Sequence, residues 1–358
     1  AQESRGLGDV YKRQLMLKSR LCIAFFAFAV GCAPAQKPLT DYVNPMLGTA
    51  TLWDSVDLGF KPTKRTWGAE VFPGSSLPNA MVQVSPVTKF HSGAGYQYED
   101  SVIYGFTHTN KGHWNLCHIP LLPVTGTPTP GDYCSPFSHE RESAAPGYYQ
   151  VFLDRYGVDA QLSSTLRCAF HKYTYPAGAA ASLLADLQRS NEHVRAWDIR
   201  KEGDNVFAGW QQTGEKMYFY AVANRPVTGI EPVVEGDREV RIVRFGEGDG
   251  ALELRIGFSF VSEKNARENL EAEMLGKSFA EVRSEATATW NDLLGRIRVE
   301  GGTEREKGLF YSSLYRSFLW PALRSDVNGE FTDVDGKVIN PGFRYYTGCL
   351  LYTSDAAD

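Results

Sequence analysis

The densest run of side chains able to make directional polar contacts is His108-Thr109-Asn110-Lys111-Gly112-His113-Trp114-Asn115-Leu116-Cys117-His118. Histidine and asparagine can each donate to and accept from hydroxyl groups, and an indole face can stack on the C–H face of a sugar ring. The run sits between apolar segments and carries a glycine, so it reads as a loop held by a rigid frame, where ligand contacts concentrate. His108, His113, Trp114 and Asn115 are the expected contact residues. The five-residue histidine spacing matches no zinc motif and no acidic residue stands beside it. Metal ligation and a purely structural loop remain the alternatives.

A second candidate is Glu70, within Trp67-Gly68-Ala69-Glu70-Val71-Phe72-Pro73-Gly74. A lone carboxylate is not a hydrolytic site on sugars, because acid and base must face each other across the bond, about 6.5–9.5 Å apart in inverting enzymes. Glu70 is therefore read as sugar-contacting or structural. Asp326-Val327-Asn328-Gly329-Glu330, with Asp333 and Asp335-Gly336, carries calcium-type ligands but not the twelve-residue EF-hand register; successive turns are the expectation. Phosphate loops and nucleophile elbows are absent from the sequence.

The elements that would position these residues are mostly strands. Short β-type runs separated by Gly, Pro, Asn and Asp are expected at residues 80–85, 147–154, 172–175, 181–186, 205–211, 217–222, 239–244 and 251–258. Their number and spacing predict an antiparallel β-sandwich over residues 40–262. From about Glu263 the pattern changes. Phe279, Val282, Ala286, Trp290, Leu293 and Ile297 form a helical stripe behind a Ser278/Glu281 capping box. A second box, Thr303/Glu306, opens a helix carrying Leu309, Phe310, Leu314 and Phe318, ended by Pro321. Residues 263–348 thus read as the start of a helical domain.

With 43% hydrophobic and 22% charged residues in 358, two folded domains are expected rather than disorder. A net charge of -5 leaves no basic footprint for nucleic acid. The six cysteines show no C-x-x-C spacing, so neither a structural zinc site nor a disulfide framework is expected. Lys18 and Arg20 precede an apolar run, Leu21 to Val30, which ends in Gly31-Cys32; that order is a secretory signal. Ala29-Val30-Gly31-Cys32 resembles a bacterial lipobox, making Cys32 the expected lipidation site, residues 16–32 the signal and residues 33–39 a tether. Attachment to a membrane is expected only through that lipid, with export to the periplasm or outer surface. Residues 1–15, with RGLGDVYKRQ, and 349–358, CLLYTSDAAD, resemble translated adapter sequence from metagenomic reading frames. They are expected to be non-native, the chain having been cut by sequencing.

Five further segments occur in an order that resembles glycoside hydrolase family 92: DYVNPMLGT from Asp41, FPGSSLPNAMVQVSP from Phe72, GYQYEDSVIYGFTHT from Gly95, SPFSHERESAAPGYYQVFL from Ser135 and VEGGTEREKGLFYSSLYRS from Val299. SDVNGEFTDVDGKV before Tyr345-Tyr346-Thr347 is similar too. The resemblance spans Asp41 to Gly348. It implies an N-terminal β-sandwich packed on an (α/α)6 barrel, and a calcium-dependent, inverting exo-α-mannosidase acting on mannose-containing glycans. It further implies that the calcium ligands, acid and base lie in barrel residues beyond this chain, so that no catalytic residue and no metal ligand is expected within it and the chain alone is inactive. Lys111-Gly112-His113-Trp114-Asn115-Leu116-Cys117 stands where many members carry a Ser-Gly-Thr-Gly-Cys type loop, which leaves linkage specificity open. A non-catalytic carbohydrate-binding module on a surface lipoprotein and a purely structural domain are the other readings.

Overall fold

The computed structural model describes residues 37–51, 69, 71–111 and 114–348. Cys32 and the signal segment, Glu70, His113 and residues 349–358 lie outside the described residues. The chain divides into two units, Ala1–Pro38 and Leu39–Asp358, of which the first is described only at its last two residues.

The second unit is mainly β, with several antiparallel sheets and three α-helices among the described residues. One sheet has seven strands in the order Ser75–Ser76, Gln83–Val87, Gly105–Thr107, Leu121–Val124, Ser182–Ala185, Arg238–Phe245, Val227–Glu235. The other has eight, in the order Ala196–Gly203, Val206–Gln212, Lys216–Ala223, Leu252–Ser259, Cys168–Thr174, Val158–Ser164, Tyr148–Leu153, Glu142–Ala145. Every strand expected from the sequence overlaps one of these.

The two sheets share one hydrophobic core. Val84, Phe106, Leu122, Leu183 and Ile242 from the first are buried in the same cluster as Tyr149, Leu162, Tyr173, Phe219 and Ile256 from the second. Phe106 shows the contact directly, its ring 6.5 Å from that of Tyr149 and 6.3 Å from that of Tyr173. Alternation explains which residues face inward. Along Lys216–Ala223, Met217, Phe219, Ala221 and Ala223 are buried, while Tyr218, Tyr220 and Val222 are only partly covered. That second apolar face exists because a helix, α1 (Glu263–Glu273), lies over it, and Tyr220 and Val222 pack against the cluster holding its Leu270.

Two more helices follow, α2 (Phe279–Leu294) and α3 (Glu304–Ser317), each opened by the capping box expected from its sequence. Phe279, Val282, Ala286 and Trp290 are buried on α2 as the stripe predicts, whereas Ile297 lies past its end and is exposed. Ala286 approaches the sheet at Gly147, where a Cβ would come within 2.5 Å of the alanine's own; only glycine fits, and its φ of +77° favours it as well. On α3 the buried face differs from expectation. Tyr311, Ser312 and Tyr315 point inward and Leu309 is exposed. Aromatic side chains win because the space they enter is lined by Trp290, whose ring centroid is 4.4 Å from that of Tyr315, and because Tyr311 Oη donates to the Ile297 carbonyl at 3.3 Å.

These helices are fastened to the start of the unit. Trp290 Nε1 donates to the Ser76 carbonyl at 2.8 Å, Asn44 N donates to Ser312 Oγ at 2.9 Å, and the Arg316 guanidinium donates to the Phe72 and Pro45 carbonyls. Burial pushes Arg316 down to about 10. Residues 326–329 and 333–336 form turns on either side of the short strand Phe331–Thr332, with Gly329 N donating to Asp326 O and Gly336 N to Asp333 O.

Candidate functional site

The polar run 108–118 is a short hairpin rather than an irregular loop. Asn110–Lys111 pairs antiparallel with Trp114–Asn115, in register Asn110 with Asn115 and Lys111 with Trp114. At its base His108 N donates to the His118 carbonyl and Leu116 N to the Thr109 carbonyl. The hairpin therefore rises from the end of the strand Gly105–Thr107.

His108 follows Phe106 by two residues, so it shares that strand's inward face. It is fully buried, its Nε2 3.0 Å from His171 Nε2 of the opposite sheet, and His171 Nδ1 lies 2.5 Å from Tyr173 Oη. Burial pushes His108 down to about 3 and His171 well below the usual imidazole range, so both are neutral. Asn115 is buried as well; its Oδ1 accepts from Cys117 N at 2.9 Å and its carbonyl accepts from Asn191 Nδ2. The structure thus brings His108 and Asn115 to the base of the hairpin and engages them with protein partners.

His118 closes the base from the other side through a chain whose direction is fixed. Glu192 Oε2 accepts a hydrogen bond from the Thr213 hydroxyl at 2.6 Å. Thr213 Oγ1 then accepts from His118 Nε2 at 2.9 Å, which leaves His118 Nδ1 to accept from Thr109 Oγ1 at 2.8 Å. Burial holds His118 down at about 4, with Glu192 opposing and Arg324 adding to the depression. The imidazole is neutral and every nitrogen has a partner.

Glu192 opens onto a groove of about 1160 Å³ between residues 88–104 and 188–197. Asn191 pins the two segments together: its Oδ1 accepts from His91 N at 2.6 Å, its Nδ2 donates to Gly93 O at 3.3 Å, and its own N donates to Leu116 O at 2.9 Å. The groove is bordered by Arg189, whose guanidinium carbon lies 5.5, 5.4 and 5.8 Å from the ring centroids of Phe90, Tyr104 and Tyr133. Beneath it Asp186, with no exposed surface, accepts from Tyr133 Oη at 2.5 Å and Arg238 Nη2 at 2.6 Å. Burial raises the Asp186 carboxyl against the pull of those partners.

Backbone strain gathers at the same place. His91, Cys117 and Ile119 hold φ of 59°, 55° and 54°. A β-branched residue in that region is a genuine outlier, costing on the order of 1–3 kcal/mol, and here the Gln211 Oε1 acceptor at 2.8 Å holds the Ile119 N–H in place. Sequence reasoning missed Arg189, Asn191 and Glu192. Their signal was present, since Arg189-Ser190-Asn191-Glu192-His193 is a polar run after an apolar strand, like the one at 108–118.

Among the described residues no group of three or more His, Cys, Asp or Glu side chains is placed to hold a metal ion. Asp326, the nearest approach to a ligand cluster, accepts from Ser259 Oγ, Asn265 Nδ2 and Asn269 Nδ2 at 2.6–2.9 Å.

The model for the glycosyl hydrolase family 92 N-terminal domain matches residues 42–269, and the model for that family's catalytic domain matches residues 265–352. A family 92 α-mannosidase from Bacteroides thetaiotaomicron has a similar structure, with a TM-score of 0.78 and 26% identity over 87% of this chain and 45% of that one. Its complex with mannoimidazole gives a TM-score of 0.77 at 26% identity, covering 87% of this chain and 44% of that one. A family 92 inverting mannosidase from the same organism shares the fold at a TM-score of 0.72 and 24% identity, over 88% and 44% of the two chains. An uncharacterized secreted glycosidase of Arthroderma benhamiae is 24% identical over 81% of this chain and 42% of its own length. The chain spans less than half the length of each of these relatives.

Proposed function

Because the chain belongs to glycosyl hydrolase family 92, we propose that the protein it comes from is an exo-acting, inverting α-mannosidase that removes terminal α-linked mannose from glycans. The observation that carries the reading is the succession of matches to the family's N-terminal domain, over residues 42–269, and to part of its catalytic domain, over residues 265–352, supported by the backbone likeness to an α-mannosidase solved with mannoimidazole. In this reading the two sheets sharing one core are the β-sandwich, and α1–α3 begin the (α/α)6 barrel.

His113 and Trp114 are the side chains proposed to meet the sugar, with Glu70 as a further contact. His108 and Asn115, being buried, act by holding the hairpin. The calcium that the resemblance implies finds no fitting ligand set among the described residues, whose best candidate, Asp326, is engaged with Ser259, Asn265 and Asn269. Its ligands, with the general acid and base, are assigned to catalytic-domain residues outside this chain, and this chain alone is proposed to be inactive. The signal-like segment and the secreted relative support export, with Cys32 as the lipid anchor.

The test is a polypeptide carrying the complete catalytic domain, assayed on 4-nitrophenyl α-mannoside and α-glucoside with calcium and with chelator. Calcium-dependent release from the mannoside alone is expected. Turnover of the glucoside with the mannoside inert would refute the assignment.

A further inference from the structure

We propose that the groove between residues 88–104 and 188–197 binds an oligosaccharide, with Glu192 as the fixed acceptor for one sugar hydroxyl. The inference rests on the mannosidase reading for the identity of the sugar and on geometry for everything else.

The size of the groove, about 1160 Å³, sits above the roughly 300–1,000 Å³ of pockets for single small molecules, which suits a chain of rings rather than one. Its lining combines aromatic surface from Phe90, Tyr104 and Trp197 with planar donors and a carboxylate. Four cationic side chains line it, opposed by three acids and by Asp186 beneath, so the site has no net charge to draw a polyanion. A neutral ligand rich in hydroxyls matches that balance.

Glu192 is built for one task within this lining. Its Oε2 is fixed by the Thr213 hydroxyl, which His118 holds in turn, while its Oε1 has no partner among the described residues and the side chain is 37% exposed. An oriented carboxylate oxygen gives a hydroxyl donor a charge-assisted bond without the cost of ordering the side chain on binding. Arg189 complements it, fixed between aromatic rings and Asp186, with Arg195 free of ionic partners among the described residues.

Calorimetry of the 358-residue chain with α-linked mannotetraose, mannose and cellotetraose tests this. Mannotetraose should bind and mannose should not, and Glu192→Gln should weaken mannotetraose binding by about tenfold or more. Thr213→Val, which frees the carboxylate to rotate, should cause a smaller loss. On the unaltered chain, mannotetraose should slow amide hydrogen exchange in residues 88–104 and 188–197, a readout independent of any variant's folding. Absence of oligosaccharide binding, or slowed exchange only elsewhere, would overturn the proposal while leaving the mannosidase assay untouched. A preference for cellotetraose, with exchange slowed in the groove, would instead overturn the mannoside identity on which it rests.

Discussion

The base of the hairpin and the groove beside it use the same residue types in opposite ways. At the base, His108, His171, His118 and Asn115 are sealed from water and bonded to protein partners, although the buried His108 Nδ1 has none among the described residues. In the groove, Glu192 and Arg189 are partly exposed and each is fixed from behind. Polar chemistry at the base sets a shape, and in the groove it is available to a ligand. A histidine's or asparagine's role here follows from burial rather than from residue type.

The sharpest way to break this contrast is His171→Ala. It opens a cavity and strands His108 Nε2 and Tyr173 Oη, and should cost about 3–5 kcal/mol in urea unfolding while leaving mannotetraose affinity of the folded fraction unchanged. Acid is a gentler probe of the same base. His108 and His118 sit at about 3 and about 4 when folded, below their ordinary 6.5, and His171 is lowered too. The unfolded chain therefore takes up protons first as pH falls. Stability is whole above about pH 6.5 and erodes as pH falls, to about 4 for His118 and about 3 for His108, by about 1 kcal/mol per pH unit for each buried histidine. Denaturation midpoints that stay level from pH 7.5 to 5 would contradict neutral burial.

Asn115→Ala removes the acceptor for Cys117 N beside a strained backbone, with an expected loss of about 1–2 kcal/mol on the same assay. The smallest effect belongs to the groove. Glu192→Gln should change stability by less than about 0.5 kcal/mol, even though it is expected to cost ligand affinity. A large stability loss there would move Glu192 to the structural side of the comparison.

Much of the frame was legible in the sequence because alternation and capping boxes are local. The box residues Ser278/Glu281 and Thr303/Glu306 mark both helix starts. Helix α1 escaped because its buried face includes Asn265 and Asn269, which bond Asp326 some sixty residues away and supply no apolar stripe. The strand Val227–Glu235 escaped because Gly229 and Pro232 interrupt it, as an edge strand tolerates. The inward position of His108 was readable from its parity with Phe106, and that of His171 from its parity with Ala169 and Tyr173. The groove was not readable, since its two walls lie about a hundred residues apart and meet through the tertiary contacts of Asn191 and Arg189.

In the proposed function this chain supplies a sugar-facing wall and not the hydrolytic carboxylates. Saturating the chain with mannotetraose and calcium, then analysing the sugar recovered, tests this in one step. The account predicts ligand that is bound and returned intact, whereas calcium-dependent release of mannose by this chain would contradict it.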